Sequence, residues 1–115
     1  MKLKELIAVL EDTDFETSAP VYKGTSIINQ KDMNFKLNTF GWSAWGGTKE
    51  NAIIIKFKDE KLEFSNYHFI KSNEELMDRE VRNIEKLLLN PHINTSSSGN
   101  EYWDMSCCQL IIVVE

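Results

Sequence analysis

The sequence predicts an α+β domain in which two helices pack on a largely antiparallel sheet. Three features carry this. Leu3, Leu6, Ile7 and Leu10 follow the i, i+3, i+4, i+7 spacing of one helical face, and Met77, Val81, Ile84 and Leu88 repeat that kind of spacing later. From Val21 onward apolar and polar residues alternate with a period of two. The chain closes on Cys107 to Val114, a nearly continuous apolar run rich in β-branched types. The expected order is α-β-β-β-β-α-β with the C-terminal strand central. Residues 1–115 should form one domain, because 115 residues leave no room for a second.

The first helix should end near Asp12–Thr13, where the acidic stretch Glu11-Asp12-Thr13-Asp14-Phe15-Glu16 begins. Pro20 then forces extended backbone at Ala19. Met33, Phe35 and Leu37 alternate with Asn34, Lys36 and Asn38, the pattern of a strand with one wet face. Ile53, Ile55 and Phe57 share a face of the next strand, opposite Ile54, Lys56 and Lys58. Lys58-Asp59-Glu60-Lys61 has the length and polarity of a hairpin turn, followed by an outgoing strand from Leu62 to about Phe69. Ser72 and Glu75 have the spacing of a capping box, so the second helix should run from about Asn73 to Leu89, where Asn90-Pro91 stops it. Asn90 to Asn100 reads as a mobile loop. Both faces of 107–114 are apolar, so this segment should be an internal strand that buries both cysteines.

Composition excludes several classes. Hydrophobic residues at 42% and charged residues at 27% suit a globular core and argue against wholesale disorder. The longest apolar run, Leu110 to Val114, is far shorter than the ~20 residues a membrane helix needs. Glu5 stands where a signal peptide would be apolar, and two adjacent cysteines make no disulfide framework. A cytoplasmic protein is therefore expected.

No catalytic motif stands out. Neither His68 nor His92 has a second histidine, a cysteine or a carboxylate at metal-ligand spacing. Cys107 and Cys108 are neighbours whose side chains should point to opposite faces of a strand, so they cannot act as a pair. A nucleophile formed by a cysteine with His92 would need an exposed, reactive thiol. Gly41-Trp42-Ser43-Ala44-Trp45-Gly46-Gly47 is glycine-rich, but no lysine follows in phosphate-loop register and no helix pattern opens after it. No metal, cofactor or catalytic residue is expected.

Charge is more informative. The net charge is −5, which disfavours nucleic acid; Lys56, Lys58 and Lys61 form one small basic cluster suited to a solvated strand face. Residues 1–50 hold six basic and seven acidic side chains and residues 51–115 seven and eleven, so the excess lies mostly in the second half. Acids at the start of a helix complement its dipole, but those from Glu11 to Glu16 follow a helix end and oppose it. This run therefore calls for another explanation: an acidic surface that steers a basic partner. Asp12, Asp14 and Glu16, with Glu101 and Asp104, are the expected partner-binding acids, and Trp45 is the expected aromatic anchor. Trp42, in phase with Phe40 and Ala44, should instead be core.

In size, charge and absence of motif the chain resembles in character the small immunity proteins that neutralise bacterial nuclease toxins, or phage-encoded inhibitors of host defence. No motif or residue is carried over. The expected function is a small acidic inhibitor that occludes a basic partner enzyme and has no catalysis of its own. It would be monomeric or homodimeric, and would contact neither nucleic acid nor membrane. A structural or accessory subunit of an oligomer is the alternative, and an enzyme with a scattered site is the third reading.

Overall fold

The computed structural model describes residues 1–35, 53–104 and 107–115. Helix α1 spans Leu3–Asp12, followed by β1 (Phe15–Lys23) and β2 (Ser26–Phe35). Next come β3 (Ile53–Phe57), β4 (Glu63–Phe64), α2 (Tyr67–Ser72) and α3 (Glu74–Met77). The chain ends with β5 (Val81–Leu88), β6 (His92–Thr95), β7 (Glu101–Asp104) and β8 (Gln109–Val114). These strands form two four-stranded sheets, ordered β2-β1-β6-β7 and β4-β3-β8-β5. Each is mixed: β1 pairs with β6 and β3 with β8 in parallel, and the remaining neighbours are antiparallel. The α+β class and the internal C-terminal strand are as expected, with the strands divided between two sheets.

The main core lies on the second sheet. Ile53, Ile55 and Phe57 of β3 and Leu110, Ile112 and Val114 of β8 are buried on one face. Leu3 and Ile7 of α1, Tyr67 and Ile70 of α2, and Leu76 of α3 complete the same cluster. Helix α1 thus buries the apolar stripe that its spacing announced, and it ends at Asp12. A smaller cluster of Ala19, Val21 and Ile93 holds the first sheet, and Trp103 packs against both clusters.

The expected second helix is the largest correction. Only Glu74–Met77 is helical, and Val81–Leu88 is a strand antiparallel to β8. An interior strand needs ladder partners on both edges, because each unpaired buried N–H or C=O costs a hydrogen bond. β3 supplies one edge of β8; a helix over 73–89 would leave the other open. The helical spacing fits a strand because the register with β8 slips twice, between Val81 and Asn83 and between Ile84 and Lys86. Each bulge inserts one extra residue. Val81, Ile84 and Leu87, three apart, therefore face Val114, Ile112 and Leu110, two apart.

Local capping explains the other departures. The strand after the 58–61 turn stops at Phe64, and α2 begins where the Asn66 side chain accepts a hydrogen bond from the Phe69 amide at 3.0 Å. The cap of α3 is Asn73, accepting from the Leu76 amide at 3.1 Å, while the Ser72 hydroxyl donates to the Phe69 carbonyl. Residues 92–104, expected to begin as a loop, form the β6–β7 hairpin; its turn is closed by Ser96 N–H to Asn100 C=O, with Gly99 at φ 89°. Strand β8 starts at Gln109, so Cys107 is exposed and only Cys108 is buried.

Candidate functional site

The acids following α1 lead onto the β1–β2 hairpin. That hairpin turns through Gly24-Thr25, with Gly24 at φ 62°, a conformation L side chains rarely adopt. Beyond the turn, Tyr22 faces Ile27 but Val21 faces Asn29, so Ile28 is an extra residue. This bulge sets Glu16 opposite Asn34 and Ser18 opposite Asp32. Opposed residues share a face, and these line an open cleft of about 540 Å³ together with Thr17. The Ser18 hydroxyl donates to Asp32 Oδ1 at 2.7 Å. Among the described residues no cationic side chain lines this cleft.

Elsewhere several acids are compensated. Lys4 reaches Asp78 at 2.8 Å, Lys56 reaches Glu85 at 3.1 Å, and Arg82 and Lys58 both approach Glu115. Among the described residues, Asp12, Glu16 and Asp32 make no ion pair with lysine or arginine. Glu11 differs: it accepts hydrogen bonds from Tyr67 Oη and, at 2.6 Å, from Lys71 Nζ. Partial burial opposes its ionisation, but the bonds from Lys71 and Tyr67 and the Lys71 charge outweigh that and hold the Glu11 carboxyl below its ordinary value. Burial first, and then the bond to Glu11, push the Tyr67 phenol up. Glu11 thus fastens α1 to α2.

The expected partner-binding residues do not form one cluster. Asp12 ends α1, Asp14 lies just beyond it, and Glu16 is on β1; all three are exposed. Glu101 faces Thr95 on β6, whose neighbour Asn94 faces Tyr22, near the far end of β1 from Glu16. That separation is about 20 Å along the strands, and Glu101 is paired with Lys31 at 2.7 Å. Half-buried Asp104 accepts from Asn94 Nδ2 at 2.9 Å. Trp45, like Trp42 and the surrounding glycines, lies outside the described residues. Asp32, Ser18 and Asn34 were not singled out from the sequence. Their shared face depends on the bulge at Ile28, which no spacing rule reveals.

Other groups offer less. His92 is half-buried against Tyr22, with ring centroids 5.0 Å apart, and neither ring nitrogen has a hydrogen-bond partner among the described residues. It therefore forms no pair with a thiol. A cleft of about 170 Å³ is lined by Phe57, Leu62, Phe64, Leu76 and Arg79, with the Arg79 guanidinium 4.4 Å from the Phe57 ring centre. Among the described residues no group of three histidine, cysteine or carboxylate side chains converges as metal ligands would, and no helix is long and apolar enough to cross a membrane. No protein-family model, curated protein or solved structure matches the chain.

Proposed function

We propose that the chain is a small acidic protein-binding inhibitor that docks on a basic partner enzyme, in the manner of toxin-immunity or anti-defence proteins, and contributes no chemistry of its own. One observation carries the proposal. Among the described residues the β1–β2 cleft is lined by Glu16, Thr17, Ser18, Asp32 and Asn34, two carboxylates with no base beside them. Such a cleft is complementary to a lysine or arginine side chain delivered from outside. Asp12 and Asp14 extend the negative surface beyond Glu16 and favour steering of a positively charged partner.

The test begins with capture of the partner from native lysate by the immobilised protein. Association rates of that partner are then measured with native chain and with Glu16→Lys/Asp32→Lys. The variant should associate at least about tenfold more slowly at low salt, with a smaller difference at high salt, where screening has already removed the steering. An unaltered rate and salt dependence, or an acidic partner, refutes the proposal.

A further inference from the structure

Strand β5 ends the second sheet, and its outer side carries an unusual pattern. Ile84, Leu87 and Leu88 are 40%, 47% and 44% exposed. At the start of the strand the edge is occupied: Leu3 N–H donates to the Arg79 carbonyl and Val81 N–H to the Met1 carbonyl, at 2.9 and 2.8 Å. From Arg82 to Leu88 no described strand covers it. A strand edge of this kind is a template for another strand.

We infer that β5 pairs with β5 of a second copy of the chain, antiparallel about a two-fold axis between Glu85 and Lys86. The register follows from the faces and charges of the strand itself. Ile84 and Leu87 share the core face through their partners Ile112 and Leu110. Asn83, Lys86 and Leu88 face Val113, Ile111 and Gln109 on the opposite side, and Glu85 reaches Lys56 on that side as well. Pairing about the proposed axis sets Ile84 against the partner's Leu87, Glu85 against the partner's Lys86, and Asn83 against the partner's Leu88. Every pair then joins like faces, and the two ion pairs are opposite in sign.

Neighbouring registers fail. An axis through Glu85 or Lys86 opposes like charges and sets core-facing side chains against outward ones. An axis through Ile84 preserves the faces but twice opposes Arg82 and Lys86. An axis through Leu87 also preserves them, yet strands Glu85 and Lys86 against the partner's Leu89 and Leu88. Lys86, which makes no ion pair among the described residues, gains one only in the proposed register. The pairing also spans 83–88, just the stretch that Met1–Leu3 leaves open. Because the strand is bulged and the ladder short, the dimer is weak and depends on concentration.

Sedimentation equilibrium from about 1 to about 500 µM tests this, because that range brackets the affinities of small interfaces. The native chain should show a monomer–dimer equilibrium. Lys86→Glu replaces two attractive pairs by two repulsive ones and should weaken it at least about tenfold. The exchange E85K/K86E restores opposite charges and should return the constant to within about threefold of native. Circular dichroism checks that each variant is folded. Amide hydrogen exchange gives a readout independent of the variants: protection of residues 83–88 should rise with protein concentration. A chain that stays monomeric throughout, a folded Lys86→Glu that associates as the native does, an exchange variant that fails to recover, or concentration-independent protection overturns the inference.

Discussion

Replacing Ile112 by alanine tests the architecture at its centre. Ile112 is fully buried, paired in register with Ile55 on one side and Ile84 on the other, and faces the three helices. The substitution removes three carbons, about 2.4 kcal/mol at ~0.8 kcal/mol per buried methylene-sized group. If about 40 Å³ of the space stays unfilled, the cavity adds about 1 kcal/mol. The expected cost is about 3.5 kcal/mol, a large share of the ~5–15 kcal/mol that stabilises a typical domain. Urea unfolding should show it as a lower midpoint at unchanged slope, and thermal unfolding as a drop of roughly 15 °C. Val9→Ala, at a position 55% exposed on α1, is the control and should change stability by under about 0.5 kcal/mol. A cost below about 1 kcal/mol for Ile112→Ala at constant slope would refute the burial of β8 between two strands and the helical layer.

Two further outcomes follow from the same packing. Because the folded Glu11 carboxyl is held below its ordinary value of 4.5, the unfolded chain takes up a proton first as pH falls. The stability that Glu11 lends is therefore present above that value and lost below it; urea titrations should show the gap between native and Glu11→Gln closing on acidification, and a constant gap would contradict the Lys71–Tyr67 clamp. Iodoacetamide should modify the native chain quickly at exposed Cys107 and slowly at buried Cys108; peptide mass spectrometry that found equal rates would contradict the strand beginning at Gln109.

Some elements were legible because one local signal decided them. Helix α1 follows its stripe of Leu3, Leu6, Ile7 and Leu10, and β3 shows its alternation directly. The segment 81–88 was not legible, because two bulges convert strand geometry into three-residue spacing, which sequence alone reads as helix. Nor was the end of the 58–61 hairpin: Asn66 and Asn73 cap short helices, and a capping asparagine resembles a turn residue. The acidic cleft failed for a related reason. The tight turn at Gly24-Thr25 by itself implies a register that sets Glu16 against Met33, and only the extra residue Ile28 moves Asn34 into that place. Acids near Glu16 could be suspected from the opposed helix dipole; their partners on β2 required the pairing itself.

The cleft also separates function from structural ornament by opposing signs. Glu16 and Asp32 lie diagonally across β1 and β2, and like charges on neighbouring strands destabilise a sheet by a few tenths of a kcal/mol. Neither is relieved by a described lysine or arginine, although most of the described lysines pair elsewhere. If the two acids served only the fold, changing Glu16 to lysine would be neutral for partner binding. It would also favour stability, since it turns a repulsion into an attraction and breaks no described hydrogen bond. The docking proposal makes the same substitution stabilise the chain by up to about 0.5 kcal/mol while it slows partner association. Urea unfolding and association kinetics on Glu16→Lys measure the two effects separately. A variant that gained stability and still bound its partner at the native rate would show that Glu16 has no part in docking.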